Sequence, residues 1–185
     1  HLLRLINQIQ FDTIYHEHVS YHSVAPLVTF FNRNDLELIH AERVDTHGGS
    51  LRGVCQLKGG PWERQDSVRR FLDTEAEQKL DVAATYLAFA QKIEMRKQEL
   101  HELLSDIKAS GKSVAAYGAP AKATTLMYHF GLGQETVDFI VDDSPLKQGL
   151  YSPGLHVPIL PSDAVSERKP DYLLILAWNF GDLIV

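Results

Sequence analysis

A chain of 185 residues, 44% hydrophobic and 23% charged, has the makeup of a globular protein, long enough for one large domain or two small ones. A net charge of −6 with no run of Lys and Arg argues against nucleic acid or an anionic membrane as partner, and no apolar stretch nears the roughly 20 residues a membrane helix needs. The single Cys55 has no internal disulfide partner, which points to a reducing, cytoplasmic setting. The chain opens on His-Leu-Leu-Arg without Met or a signal peptide, as expected of a piece of something longer.

Leu2, Leu3, Ile6 and Ile9 recur at near-helical spacing and predict a short helix end over residues 1–10. Within the stretch Phe11-Asp12-Thr13-Ile14-Tyr15-His16-Glu17-His18-Val19-Ser20-Tyr21-His22 that follows, residues 15–22 read as a loop or irregular turn. Residues 15–22 hold two tyrosines, three histidines and a carboxylate, the densest set of proton-moving groups in the chain and the candidate site of chemistry. Aromatic residues and histidines also line ordinary surface loops, so residue types alone leave both readings standing.

Ser23 suits an N-cap, Pro26 a first turn, and Leu27, Phe30 and Phe31 an apolar helix face. Leu36–Val44 and Ser50–Leu57 read as strands joined by Asp45-Thr46-His47-Gly48-Gly49, an antiparallel hairpin. Lys58-Gly59-Gly60-Pro61 marks a boundary. Beyond it Val68, Phe71 and Leu72 suggest one helix. A long one follows from about 81 to 109, with Tyr86, Phe89, Ile93, Leu100, Leu103, Leu104 and Ile107 on its apolar face and Gly111 beyond its end. At roughly 40 Å it suits a brace between domains or a partner helix.

From Lys112 the rhythm is strand, turn, helix, strand: strands at 113–117, 137–141, 157–160 and 171–178, helices at Ala121–Phe130 and after Pro161-Ser162-Asp163. The near-continuous apolar run 171–178 predicts a strand covered on both faces. This alternation implies an α/β fold with a Rossmann-like, mainly parallel sheet, whose ligands sit at the carboxyl ends of strands. The residues there are Gly118, Ala119, Pro120, Ala121 and Lys122, then Asp142 and Asp143, then Asn179. The first-turn amides and Lys122 favour an anion, and Asp142, 24 positions after Gly118, lies near the offset at which a carboxylate holds ribose hydroxyls. Against this, the turn has one glycine where the dinucleotide fingerprint has three, and Asp143-Ser144-Pro145 reads equally as a plain capped turn.

Residues 1–58, read together, run helix end, His-rich loop, helix, hairpin, the order in which a class I methyltransferase domain finishes. Several motifs stand in order: Phe11-Asp12-Thr13-Ile14-Tyr15-His16-Glu17-His18, His47-Gly48-Gly49-Ser50-Leu51-Arg52, Tyr117-Gly118-Ala119-Pro120-Ala121-Lys122, Val141-Asp142, Lys147-Gln148-Gly149, Pro153-Gly154 and Ala177-Trp178-Asn179-Phe180. With them the chain resembles, end to end, the C-terminal portion of the S-adenosylmethionine-dependent sugar C-methyltransferases, three-domain enzymes acting on nucleotide-linked deoxysugars.

That resemblance implies methyl transfer to sugar C3, beside a C4 ketone, with His18 as base and Tyr15 and Glu17 assisting. It implies residues 1–58 as the end of the methyl-donor domain, 59–111 as a helical connector, and 112–185 as a Rossmann-like domain holding the sugar nucleotide through Gly118, Ala119, Pro120, Lys122, Asp142 and Asn179. S-adenosylmethionine would be bound mainly upstream of His1, as would zinc, since the chain has neither a Gly-rich donor motif nor a cysteine set; a fragment of this kind is expected to be inactive alone. Two other readings are compatible with the residues. One is a stand-alone Rossmann-like nucleotide-binding module; the other is a metal enzyme using His16 and His18 with His22 or His47.

Overall fold

The computed structural model describes residues 1–45, 49–178 and 181–184. It forms two compact units: His1–Gln10 with His18–Lys92, and Phe11–Glu17 with Ile93–Val185. The segment 11–17 thus packs with residues far along the chain.

In the first unit α1 (Leu2–Asn7) buries Leu3, Leu5 and Ile6. Ile9, expected on this helix, instead lies beyond it at φ 54, where the amide of Gln10 reaches back to the Leu5 carbonyl (2.9 Å). Helix α2 (Val24–Arg33) buries Val24 and packs Val28 and Phe31, at i, i+4 and i+7, on the core. Phe30, expected inside, falls off that stripe and is 58% exposed. Ser23 occupies the N-cap position without a side-chain bond. The acceptor is the buried Glu75, whose two oxygens take the amides of Val24 (2.6 Å) and Ala25 (2.9 Å).

Strands β1 (Leu36–Val44) and β2 (Ser50–Leu57) pair antiparallel from Leu36 opposite Leu57 to Val44 opposite Ser50. The register shifts between Leu38 and His40, which lets the consecutive Leu38 and Ile39 both be buried. Leu38 and Ala41 then meet Val24 and Val68, the latter from α3 (Asp66–Glu77). Helix α4 (Ala83–Ala109) begins in this unit and ends in the other. Of its expected apolar face Phe89, Ile93, Leu104 and Ile107 are buried, whereas Tyr86 and Leu103 are exposed.

The second unit is built on β3 (Val114–Tyr117), β4 (Phe139–Val141), β5 (Ile159–Leu160) and β6 (Tyr172–Ile175), all parallel, in the order β5-β4-β3-β6. The fold is therefore α/β, with the hairpin a separate two-stranded sheet. Ala115, Phe139, Val141 and the Ala164 of α6 (Ala164–Arg168) form one face's core. The expected burial of both faces at 171–178 does not hold. Strand β6 is an edge strand ending at Ile175, and Tyr172 and Leu173 remain exposed.

Candidate active site

Strand β3 leads into α5 (Ala121–Phe130) and then β4 on one side, while β6 is added on the other. The order reverses between β3 and β6, which makes the crevice at their carboxyl ends the switch point where ligands of open parallel sheets bind. Gly118 leaves β3 at φ +87, and a Cβ there would lie 3.0 Å from that of Ala177 beyond β6. Conformation and crowding both demand glycine, so Gly118→Ala should cost about 1–2 kcal/mol, readable from the urea midpoint.

Asp142 comes beside this turn because Tyr117 pairs with Val141. Its Oδ2 accepts the amide of Ala119 (2.7 Å) and the ammonium of Lys147 (3.0 Å), and its Oδ1 the amide of Ser144 (2.9 Å). Gln148 donates to its carbonyl (3.0 Å), so the Lys-Gln motif serves to fix this loop. Burial acts to raise the Asp142 carboxyl, but the two amides and Lys147 outweigh it and hold the group below its ordinary value of 3.8. A carboxyl depressed by folding adds stability above its unfolded pKa and loses it as pH falls through the folded value. Asp142→Ala should therefore cost about 2–3 kcal/mol near pH 7, with the gap from wild type narrowing in acid; equal losses at every pH would contradict this.

Asp143 instead accepts from the Tyr117 hydroxyl (2.7 Å) and from Ser162. The bonds from Ser162 and Tyr117 lower its pKa, and the bond to Asp143 is the main cause raising that of Tyr117.

The segment 11–17 meets the same edge of the sheet. Phe11–Thr13 is a 3-10 turn whose Phe11 ring stacks on Phe130 of α5 (centroids 5.1 Å apart). Asp12 is 1% exposed; its Oδ2 accepts the Trp178 indole N–H (2.8 Å) and lies 3.4 Å from the Lys122 ammonium. That ammonium sits 4.7 Å over the Trp178 ring. Past this anchor the chain turns outward. The Tyr15 hydroxyl donates to Glu17 Oε2 (3.1 Å), and the exposed His16 ring stands edge-on to Tyr15 (5.7 Å).

Tyr15 and Glu17 thus share a unit with Gly118, Ala119, Pro120, Lys122 and Asp142. His18 and His22 are exposed residues of the first unit, which the chain re-enters after Glu17. Asn179, His47 and Gly48 lie outside the described residues. Among the described residues no three of His, Cys, Asp and Glu gather as metal ligands, and no helix is long and apolar enough to cross a membrane. Asp12 and Lys147 were missed as partners of Lys122 and Asp142; the only sequence signal was their place inside the quoted motifs.

A Rossmann-like half-sheet with a tyrosine- and histidine-bearing segment fastened at its switch point defines a class that the comparisons identify: the chain belongs to the C-methyltransferase C-terminal domain family, which matches residues 45–185. It is 36% identical over all 185 residues to the C-methyltransferase NovU of Streptomyces niveus. The chain spans 44% of that protein's length.

Proposed function

We propose that the full-length protein is an S-adenosylmethionine-dependent C-methyltransferase acting on C3 of a nucleotide-linked 4-keto deoxysugar, and that this chain carries its proton-transfer residues and its nucleotide edge. The observation that carries the reading is the Tyr15 hydroxyl held by Glu17 at 3.1 Å, on a segment anchored at the sheet's switch point. Membership of the C-methyltransferase family supports the reaction class.

In this reading His18 takes the C3 proton. The electron pair of the broken C–H bond moves toward the C4 oxygen, where it forms an enolate, and Tyr15 turns its O–H from Glu17 to that oxygen. Glu17, released from Tyr15, accepts from a sugar hydroxyl. The diphosphate lies at the 118–122 turn, where Pro120 provides no side-chain cap and, with the Ala123 amide turned to the Pro120 carbonyl (2.9 Å), the amides of Ala121 and Lys122 are the first-turn donors left for an anion. Asp142 holds that turn in shape through Ala119, with Lys122 at the same edge; Asn179 is assigned to the same nucleotide on the resemblance alone.

S-adenosylmethionine, when bound, supplies an electrophilic methyl group for the C3 carbanion. The Gly118 turn offers the donor no glycine-rich cradle, and its Ala119 amide is already taken by Asp142. In this reading the donor is bound mainly by other parts of the full-length protein.

The test is to give full-length protein a nucleoside-diphosphate 4-keto-6-deoxysugar in deuterated water. Deuterium should enter C3, and added donor should place a methyl group there. A protein that binds the nucleotide yet neither exchanges nor methylates would be a binding module instead.

A further inference from the structure

Asp12 has a carboxylate almost without contact with water, and one of its oxygens, Oδ1, is buried with no hydrogen-bond partner among the described residues. Nothing in the proposed chemistry uses it. A carboxylate is costly to bury unless it is paired. Its pairing is specific: the indole N–H of Trp178 at 2.8 Å and the ammonium of Lys122 at 3.4 Å, with that ammonium also over the Trp178 ring. Three side chains from three distant stretches close one triangle. Lys122 stands in the first turn of α5 after β3, and Trp178 follows β6, so the triangle spans the two sides of the switch point. Asp12 itself lies three residues before Tyr15.

We propose that Asp12, held by Lys122 and Trp178, is a positioning residue that locks the 13–17 segment, and with it Tyr15 and Glu17, onto the carboxyl edge of the parallel sheet. The role in turnover rests on the reading of Tyr15, Glu17 and His18 given above; the lock itself does not. The geometry explains why this anchor is an ion pair inside a hydrogen bond. Phe11 stacked on Phe130 supplies apolar contact, which sets distance without setting direction. The Trp178 N–H has one direction, and the carboxylate plane that accepts it fixes the rotation of the turn carrying Tyr15. Lys122 neutralises the charge left inside. A phosphate at the same turn would draw on the same ammonium, so nucleotide and catalytic segment would be referenced to one charge.

The experiment uses the full-length protein with two replacements, Asp12→Asn, which keeps the shape, and Trp178→Phe, which removes the indole donor and keeps an aromatic ring of smaller size. Hydrogen exchange followed by mass spectrometry should show the amides of residues 13–17 exchanging about tenfold faster or more in both variants, while β3 and β4 keep wild-type protection. Turnover should fall about 10–10²-fold with KM within a few-fold of wild type, since the groups remain and only their placement loosens. The double variant should lose little more than either single one, as expected of one shared contact. A merely structural Asp12 would instead lower thermal stability and leave kcat intact in the folded protein. That result, or wild-type exchange at 13–17 in folded Asp12→Asn, overturns the proposal. If His18→Ala also keeps full turnover, the catalytic reading fails separately, and the exchange measurement alone still decides whether Asp12 holds the segment.

Discussion

Full-length protein carrying His18→Ala should lose about 10²–10⁴-fold in kcat with KM little changed, the loss expected for a general base that acts in the transition state. Three histidines stand within seven positions, and the proposed reaction assigns the proton transfer to His18 among them. His16 is edge-on to Tyr15 at 5.7 Å, in the unit anchored through Asp12. His22 gives its backbone carbonyl to the amide of Leu2 (3.0 Å) and leads into α2. His18 directly follows Glu17, which holds the Tyr15 hydroxyl. In the proposed reaction the base takes the C3 proton and the oxyanion donor serves the C4 oxygen, and the resemblance gives the first task to His18 and the second to Tyr15. Exchange of the C3 hydrogen with deuterated solvent should slow in parallel with kcat, because the same proton transfer limits both. His22→Ala should leave exchange within a few-fold of wild type. If His16→Ala stops exchange while His18→Ala does not, the base is His16.

Much of the scaffold is legible in the residues because it is local. Hairpin strands alternate around a glycine-bearing connection, and both are found at the expected bounds. Strand β3, its turn and α5 follow from an apolar run, Gly118 and a periodic helix. Failures come where phase or neighbours decide. Phe30 is one position off the stripe set by Val24, Val28 and Phe31, and composition does not reveal which of two adjacent phenylalanines points inward. An apolar run does not distinguish an edge strand from a central one, and β6 lies at the edge with Tyr172 41% exposed. At the site, Gly118 and Asp142 stand out singly, but their link through the Ala119 amide depends on parallel pairing of β3 with β4. Asp12 and Trp178 lie at opposite ends of the chain, and no periodicity connects them.

Glu75 illustrates the same limit and carries the largest stability effect expected here. The first turn of a helix leaves amides without acceptors, and a side chain at the N-cap usually supplies one. Ser23 holds that position without making the bond. Instead Glu75, 3% exposed on α3, receives Val24 and Ala25 together and places negative charge at the positive end of α2. Removing it leaves two donors without their acceptor. A hydrogen bond to a charged group is worth about 1.5–3 kcal/mol, and relief of the buried charge offsets part of the sum. Glu75→Ala should therefore destabilise by about 2–4 kcal/mol, measured by urea unfolding. Glu75→Gln should recover only part, because its amide nitrogen would turn a donor toward one of the two N–H groups. Ser23→Ala, with no capping bond to lose, should stay within about 1 kcal/mol of wild type. A larger loss for Ser23→Ala than for Glu75→Ala would return the capping role to the serine.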